Sequence, residues 1–150
     1  MDAIELLKAD HKKVRTLLAA LAETTSRATK TRSELLEKIK KEIEVHSAIE
    51  EEIFYPAFDA AAKNEEDRRM VPEALAEHKA AGDVTLPDLL ASDVNSDEFG
   101  GRSKVLKELI EHHAGEEEKE MFPRARELLG KEALAELGDR MAQRKVELGA

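Results

Sequence analysis

Histidine and glutamate four residues apart occur twice in this chain. They are His46 and Glu50 within HSAIEEEIFYPAF, and His113 and Glu117 within HAGEEEKEMFPRA. Aligned on Pro56 and Pro123, the two stretches also match Glu51 with Glu118, Phe54 with Met121 and Tyr55 with Phe122. The differences 113 − 46, 117 − 50 and 123 − 56 are each 67. On a helix, residues four apart share one face. Each segment therefore offers an imidazole and a carboxylate side by side, a donor pair suited to iron, zinc, manganese or copper.

The neighbours of these residues say which way they face. Ile4, Leu7, His11, Val14, Leu18 and Leu21 form one stripe at helical spacing. Leu36, Ile39, Ile43, His46, Ile49 and Ile53 form a second. Leu75, His78 and Ala81 sit on a third, and Leu106, Leu109, Ile110, His113 and Met121 on a fourth. Each of four helices thus carries one imidazole on its apolar face. Burial alone would push carboxylates up and imidazoles down, with attraction between the two offsetting part of this. A dication among them makes the burial favourable. The paired device on two helices is the internal pseudo-symmetry of a two-metal bundle site.

The elements that must position these residues read as helices of about Asp2–Thr24, Thr31–Ala62, a third beginning after Asn64, and Arg102–Leu129. A short amphipathic piece, Lys131–Leu148, follows Gly130. Gly82 and Pro87 should kink or end the third helix. Ser92–Gly101, with its Asn, Asp, Ser and two Gly, reads as a loop or frayed helix start. These lengths predict an all-α, up-down-up-down four-helix bundle with a short C-terminal fifth helix, one domain over residues 1–150.

Composition agrees and excludes much else. Of 150 residues, 38% are charged and 3% aromatic, and Ala, Leu, Glu and Lys dominate. With 24 Lys+Arg against 33 Asp+Glu the formal net charge is −9, an ill match for nucleic acid or anionic membranes. The absence of Cys excludes disulfides, thiolate catalysis and iron–sulfur clusters. No apolar run spans a bilayer, and the charged start is unlike a signal peptide, so a cytoplasmic protein is expected. FGGRSK lacks a complete phosphate loop. Glu51, Glu52, Glu116, Glu118 and Glu120 read as a solvated acidic face.

The motifs around His11 (LLKADHKKV), His46 and Glu50 (HSAIEEEIFYP), His78 (EALAEHKAA), and His113 and Glu117 (EHHAGEEEKEMFP) resemble the hemerythrin-like HHE cation-binding family over nearly the whole chain. The resemblance implies a non-haem di-iron centre inside the bundle, two iron ions joined by an oxo or hydroxo bridge. Glu50 and Glu117 would bridge them, His11 and His46 would bind one iron, and His78 and His113 the other. The oxygen carriers of that family have a His-x-x-x-His pair on the third helix, and Ala74 stands here instead. They also carry an Asp five residues after the last His, where Glu117 follows by four. Reversible oxygen carriage is thereby put in doubt, and one iron is left a free position. His112, about 100° around the helix from His113, is a further candidate for that gap. Tyr55, nine residues after His46, belongs on the far face unless Pro56 distorts the helix.

The function expected is binding of a small oxidant or gas (O2, peroxide or nitric oxide) for sensing, defence or iron handling. The alternatives are a peroxide-decomposing enzyme, iron storage or a structural metal site.

Overall fold

The computed structural model describes all 150 residues, and every regular element is helical. Helix α1, Ala3–Ala22, starts on a reciprocal cap: Asp2 Oδ1 accepts the Glu5 N–H at 2.8 Å, and Glu5 Oε1 accepts the Asp2 N–H at 3.0 Å. The second rod is α2, Thr29–Ile49, a widened π-helical segment Glu50–Phe54, and α3, Tyr55–Ala61. The third is α4, Glu65–His78, a π segment Lys79–Thr85, and α5, Leu86–Leu90. The fourth is α6, Asp97–Glu116, a π segment Glu117–Met121, and the start of α7, Phe122–Glu147. Gly130, at φ 81°, breaks α7 in a left-handed conformation that glycine adopts without strain, and the C-terminal helix follows it.

The four rods pack as the expected up-down-up-down bundle, and the C-terminal helix lies on α1. Gly138 permits that close approach, since a Cβ there would strike the backbone of Met1 and Asp2.

Two expectations are corrected. The fourth helix begins at Asp97, so of the stretch expected to be a loop or a frayed helix start residues 97–101 are regular helix rather than loop or frayed. Ser96 accepts the Phe99 N–H at 3.2 Å, and Asp97 and Glu98 sit in the first turn, which offsets the cost of Gly100 and Gly101. Leu75 faces out, 41% exposed, and the third rod packs inward through Val71, Ala74 and Ala81.

All three π segments end two residues before a proline, with Tyr55, Leu86 and Phe122 standing between them and Pro56, Pro87 and Pro123. Tyr55 N–H bonds to Glu50 O, Leu86 N–H to Ala81 O and Phe122 N–H to Glu117 O, each five residues back. Proline has no N–H and its ring clashes with the carbonyl four residues before it. Widening the turn relieves the clash without ending the rod. Pro87 therefore widens the third helix, and the chain stays helical to Leu90.

Buried apolar side chains fall into two clusters. One gathers Ile4, Leu7, Ile49, Phe54, Tyr55, Phe58, Val71, Met121 and Phe122. The other gathers Val14, Leu18, Ile39, Ile43, Ala81, Leu86 and Leu106. The buried polar side chains His11, His113 and Glu117 come from the stretches of sequence between them, and Glu50 from the edge of the first, beside Ile49.

Candidate metal centre

His11, His46, Glu50 and Glu117 bring one donor atom each within 4.8 Å of one another, and Glu50, His78 and His113 do the same beside them. Glu50 Oε1 stands 3.2 Å from His46 Nε2, 3.0 Å from His78 Nε2 and 3.7 Å from His113 Nε2. Glu117 Oε1 stands 3.1 Å from His11 Nε2 and 3.4 Å from His113 Nε2. Both carboxylates thus reach imidazoles of both groups. All six residues named from the sequence converge, grouped as His11 with His46 and His78 with His113.

The other nitrogen of each imidazole meets a carboxylate. His46 Nδ1 donates to Asp10 at 2.9 Å, His78 to Glu51 at 2.8 Å, His113 to Glu77 at 2.7 Å and His11 to Glu118 at 2.7 Å. These bonds form a closed ring. Each rod supplies one histidine and one carboxylate, and the carboxylate holds the histidine of the next rod. A carboxylate only accepts, so Nδ1 carries the hydrogen and Nε2 is aimed inward, the arrangement that metal-ligating histidines use. Glu118 therefore leaves the solvated face to which the sequence assigned it, and Glu51 stays half exposed there while also holding His78. Glu52 stays on that face, paired with Arg144 at 2.7 Å.

The sequence held a signal for this ring. Asp10-His11 and Glu77-His78 are also 67 residues apart, so the repeat covers the whole site and not only its His-x-x-x-Glu halves.

Tyr55 is the residue that sequence reasoning misplaced. Its hydroxyl lies 2.6 Å from Glu117 Oε2, 3.0 Å from Glu50 Oε1, 3.0 Å from His78 Nε2 and 3.3 Å from His113 Nε2. Nine residues of regular α-helix would set it half a turn from His46. The π segment absorbs one residue, so nine act as eight and the offset falls to roughly 80°. A phenol thus enters the site between Glu50, Glu117, His78 and His113. Its counterpart in the repeat, Phe122, instead stacks on His11 at 5.6 Å and 14°.

His112 stays outside. Its side chain is 62% exposed, and Nε2 meets Glu77 at 3.2 Å and Glu116 at 3.3 Å, so it reaches the cage only through the carboxylate that holds His113.

Attraction among the charges outweighs desolvation for most of the cage. Burial pushes His46 down, but the Glu50 charge and the bond to Asp10 raise it to about 10. Burial likewise pushes His113 down, but the neighbouring Glu50 and the bond to Glu77 outweigh it and raise His113 to about 11. His78 is raised for the same reason. Burial pushes Glu50 up, yet the three imidazoles hold it well below the usual carboxylate range. Glu117 alone of the two carboxylates follows the sequence expectation: burial and the neighbouring Glu50 charge push it up. Burial, with the same two carboxylates, raises Tyr55 well above its ordinary value, so it stays a phenol among these groups.

The donor set fits a cation on the chain's own atoms. His46 Nε2 and Glu50 Oε2 are buried without a hydrogen-bond partner, the rare condition that a bound ion explains. A helical bundle that turns imidazoles and carboxylates inward in this way is a metal-binding protein.

Comparison with known proteins places it further. The family model of the hemerythrin HHE cation binding domain matches residues 2–143, and the chain belongs to that family. It is 30% identical over 152 residues to the uncharacterized protein Rv2633c of Mycobacterium tuberculosis strain H37Rv, covering 99% of this chain and 88% of that protein. The uncharacterized protein Mb2666c of Mycobacterium bovis matches to the same extent. A crystal structure of a hemerythrin HHE cation binding domain-containing protein from Mycobacterium kansasii, a homolog of Rv2633c, superposes with a TM-score of 0.84. It is 29% identical and covers 99% of this chain and 87% of that one. No helix is long and apolar enough to cross a membrane.

Proposed function

We propose that the chain holds two iron ions in the histidine–glutamate cage and binds a small oxidant or gas, O2, peroxide or nitric oxide, beside them. The observation that carries the reading is the ring: four Nε2 atoms turned inward by four carboxylates, around two glutamates that each reach both groups of imidazoles. Glu50 and Glu117 would bridge, His11 and His46 would hold one ion, and His78 and His113 the other. Bound iron would supply a redox-active Lewis acid at this position.

What the chain itself does is orient, shield and hold protons. The carboxylates fix the imidazole tautomers. The aromatic rings of Phe54, Tyr55 and Phe122 keep water off one side. On the other side a cavity of about 30 Å3 opens beside the four histidines, with Val14, Ile43, Ala81 and Ile110 in its wall. It has room for a ligand of water's size or slightly more, since a water needs roughly 10–15 Å3 of such space.

Metal analysis with a visible spectrum tests the reading. About two iron ions per chain are expected after growth in iron-rich medium. One ion per chain, with no second on titration, overturns it.

Tyr55 favours a second reading, decomposition of hydrogen peroxide, two molecules giving one O2 and two H2O. Such chemistry needs a group that holds and returns a proton at the site, and the Tyr55 hydroxyl, hydrogen-bonded to Glu117, is placed to do so. Peroxide added to iron-loaded protein separates the two. Sustained O2 release means an enzyme, and a stable spectral change means a binder.

A further inference from the structure

The repeat makes the two sides of the cage comparable residue by residue, and at one position they differ sharply. Sixty-seven residues after Arg15 comes Gly82. Arg15 Nη1 donates to Glu118 at 2.9 and 3.2 Å, and so covers the gap between α1 and the fourth rod over His11. The matching gap lies between the second and third rods over His78. There Glu51, the counterpart of Glu118, is half exposed and has no arginine or lysine partner. Gly82 supplies no side chain, and a Cβ built on it would meet nothing within 4 Å.

Two hollows adjoin at that place. Ile43, Ser47, His78 and Gly82 line the inner cavity beside the histidines. The same four residues line an outer groove of about 550 Å3 on the protein surface. The groove and the cavity therefore meet at the wall between α2 and the π segment that follows His78.

We infer that the small ligand reaches the centre through this gap and that Gly82 sets the size of what can pass. The inference rests on the two-ion reading above and adds a direction to it. The ligand approaches over His78, in the half of the site that also carries Tyr55. The approach fits a compact ligand with little charge. Ile43 and Gly82 offer no charged group, Ser47 offers one hydroxyl, and His78 is held by Glu50 and Glu51. Glu51 and Asp83 at the groove disfavour anions.

The test uses nitric oxide binding to the reduced, iron-loaded protein, followed by its spectral change in stopped flow. Gly82→Leu and, on the facing wall, Ser47→Leu place a side chain in the path from either side. Each should slow association about tenfold or more while iron content and the spectrum before mixing stay as in the wild type. Gly82→Ala, which adds one methyl, should slow it less. Association as fast as the wild type in both leucine variants, with two ions bound, overturns the path. A wild-type chain that takes up no pair of ions overturns the path together with the reading beneath it, and metal analysis shows this before any variant is made.

Discussion

Replacing Tyr55 by Phe removes one oxygen and keeps the ring, so it isolates what the hydroxyl does. In protein stripped of metal, that hydroxyl donates to Glu117 at 2.6 Å, in a site where Glu117 is 2% exposed. It has a single hydrogen, so Glu50 Oε1 at 3.0 Å competes with Glu117 for it, and the Nε2 atoms of His78 and His113 serve it as donors. A hydrogen bond to a charged group contributes about 1.5–3 kcal/mol, and stranding a buried acceptor costs a similar amount. For a chain of 150 residues, 1 kcal/mol shifts the melting temperature by about 2–4 °C. The stripped Tyr55→Phe variant should therefore melt roughly 3–12 °C below stripped wild type. With ions bound, the cations neutralise Glu117 and the hydroxyl contributes an ordinary bond of about 0.5–1.5 kcal/mol, so the loss should be clearly smaller. Circular dichroism melts of both proteins, chelated and metal-loaded, read the difference. An equal loss in the two forms, or none in the chelated form, refutes the placement of the phenol between the carboxylates.

Three further outcomes follow from the cage. Glu50→Ala and Glu117→Ala should each lose at least one of the two ions per chain by metal analysis, while Glu52→Ala, which faces Arg144, keeps both. Asp10→Ala frees the His46 ring, which Asp10 holds from Nδ1, and should weaken metal affinity by about 10–100-fold in a competition titration. The third concerns pH. His46 and His113 stand at about 10 and 11 in the folded chain against an ordinary 6.5, so their stabilisation is fully present below about 6.5 and lost as pH rises through 10 to 11. Stripped protein should accordingly melt lower at pH 10 than at pH 8. The added stability from bound metal should grow over the same interval, because the ligands must shed those protons to bind. Parallel curves for stripped and loaded protein would contradict this.

Much of the site was legible because it obeys helical arithmetic. His11 sits among Leu7, Val14 and Leu18 at three- and four-residue spacings, and all are buried together. The 67-residue repeat pairs His46 with His113 and Glu50 with Glu117 without any structure. Legibility fails where the arithmetic changes. Tyr55 was assigned to the far face on a period of 3.6, and the π segment before Pro56 removes one residue from that count. Leu75 failed similarly: three residues before His78, it was taken as inward, but the rod buries Val71 and Ala74. Glu51 and Glu118 were hidden for another reason. A run such as EEE looks like solvated charge, and only the position of a neighbouring rod decides which member meets an imidazole.

The differences between the halves carry the functional argument furthest. A duplicated pair of helices would build two equivalent ion sites, and the ring of four imidazoles and four carboxylates keeps that equivalence. It breaks in the residues around the ring. Tyr55 on the His78 side is matched by Phe122, which stacks on His11. Gly82 on the His78 side is matched by Arg15, which pairs with Glu118. The proton-bearing group and the open gap thus fall on the same half, while the other half is sealed by an aromatic ring and an ion pair. A purely structural ion pair would need neither difference. On the two-ion reading proposed above, one ion would lie in a closed, neutralised environment and one beside a phenol and the proposed passage, as a centre that keeps its metals while exchanging a small ligand would require. Gly82→Arg, which copies the sealed half onto the open one, should therefore leave both ions in place and slow the ligand, whereas a variant that loses metal would show that Gly82 supports the cage itself.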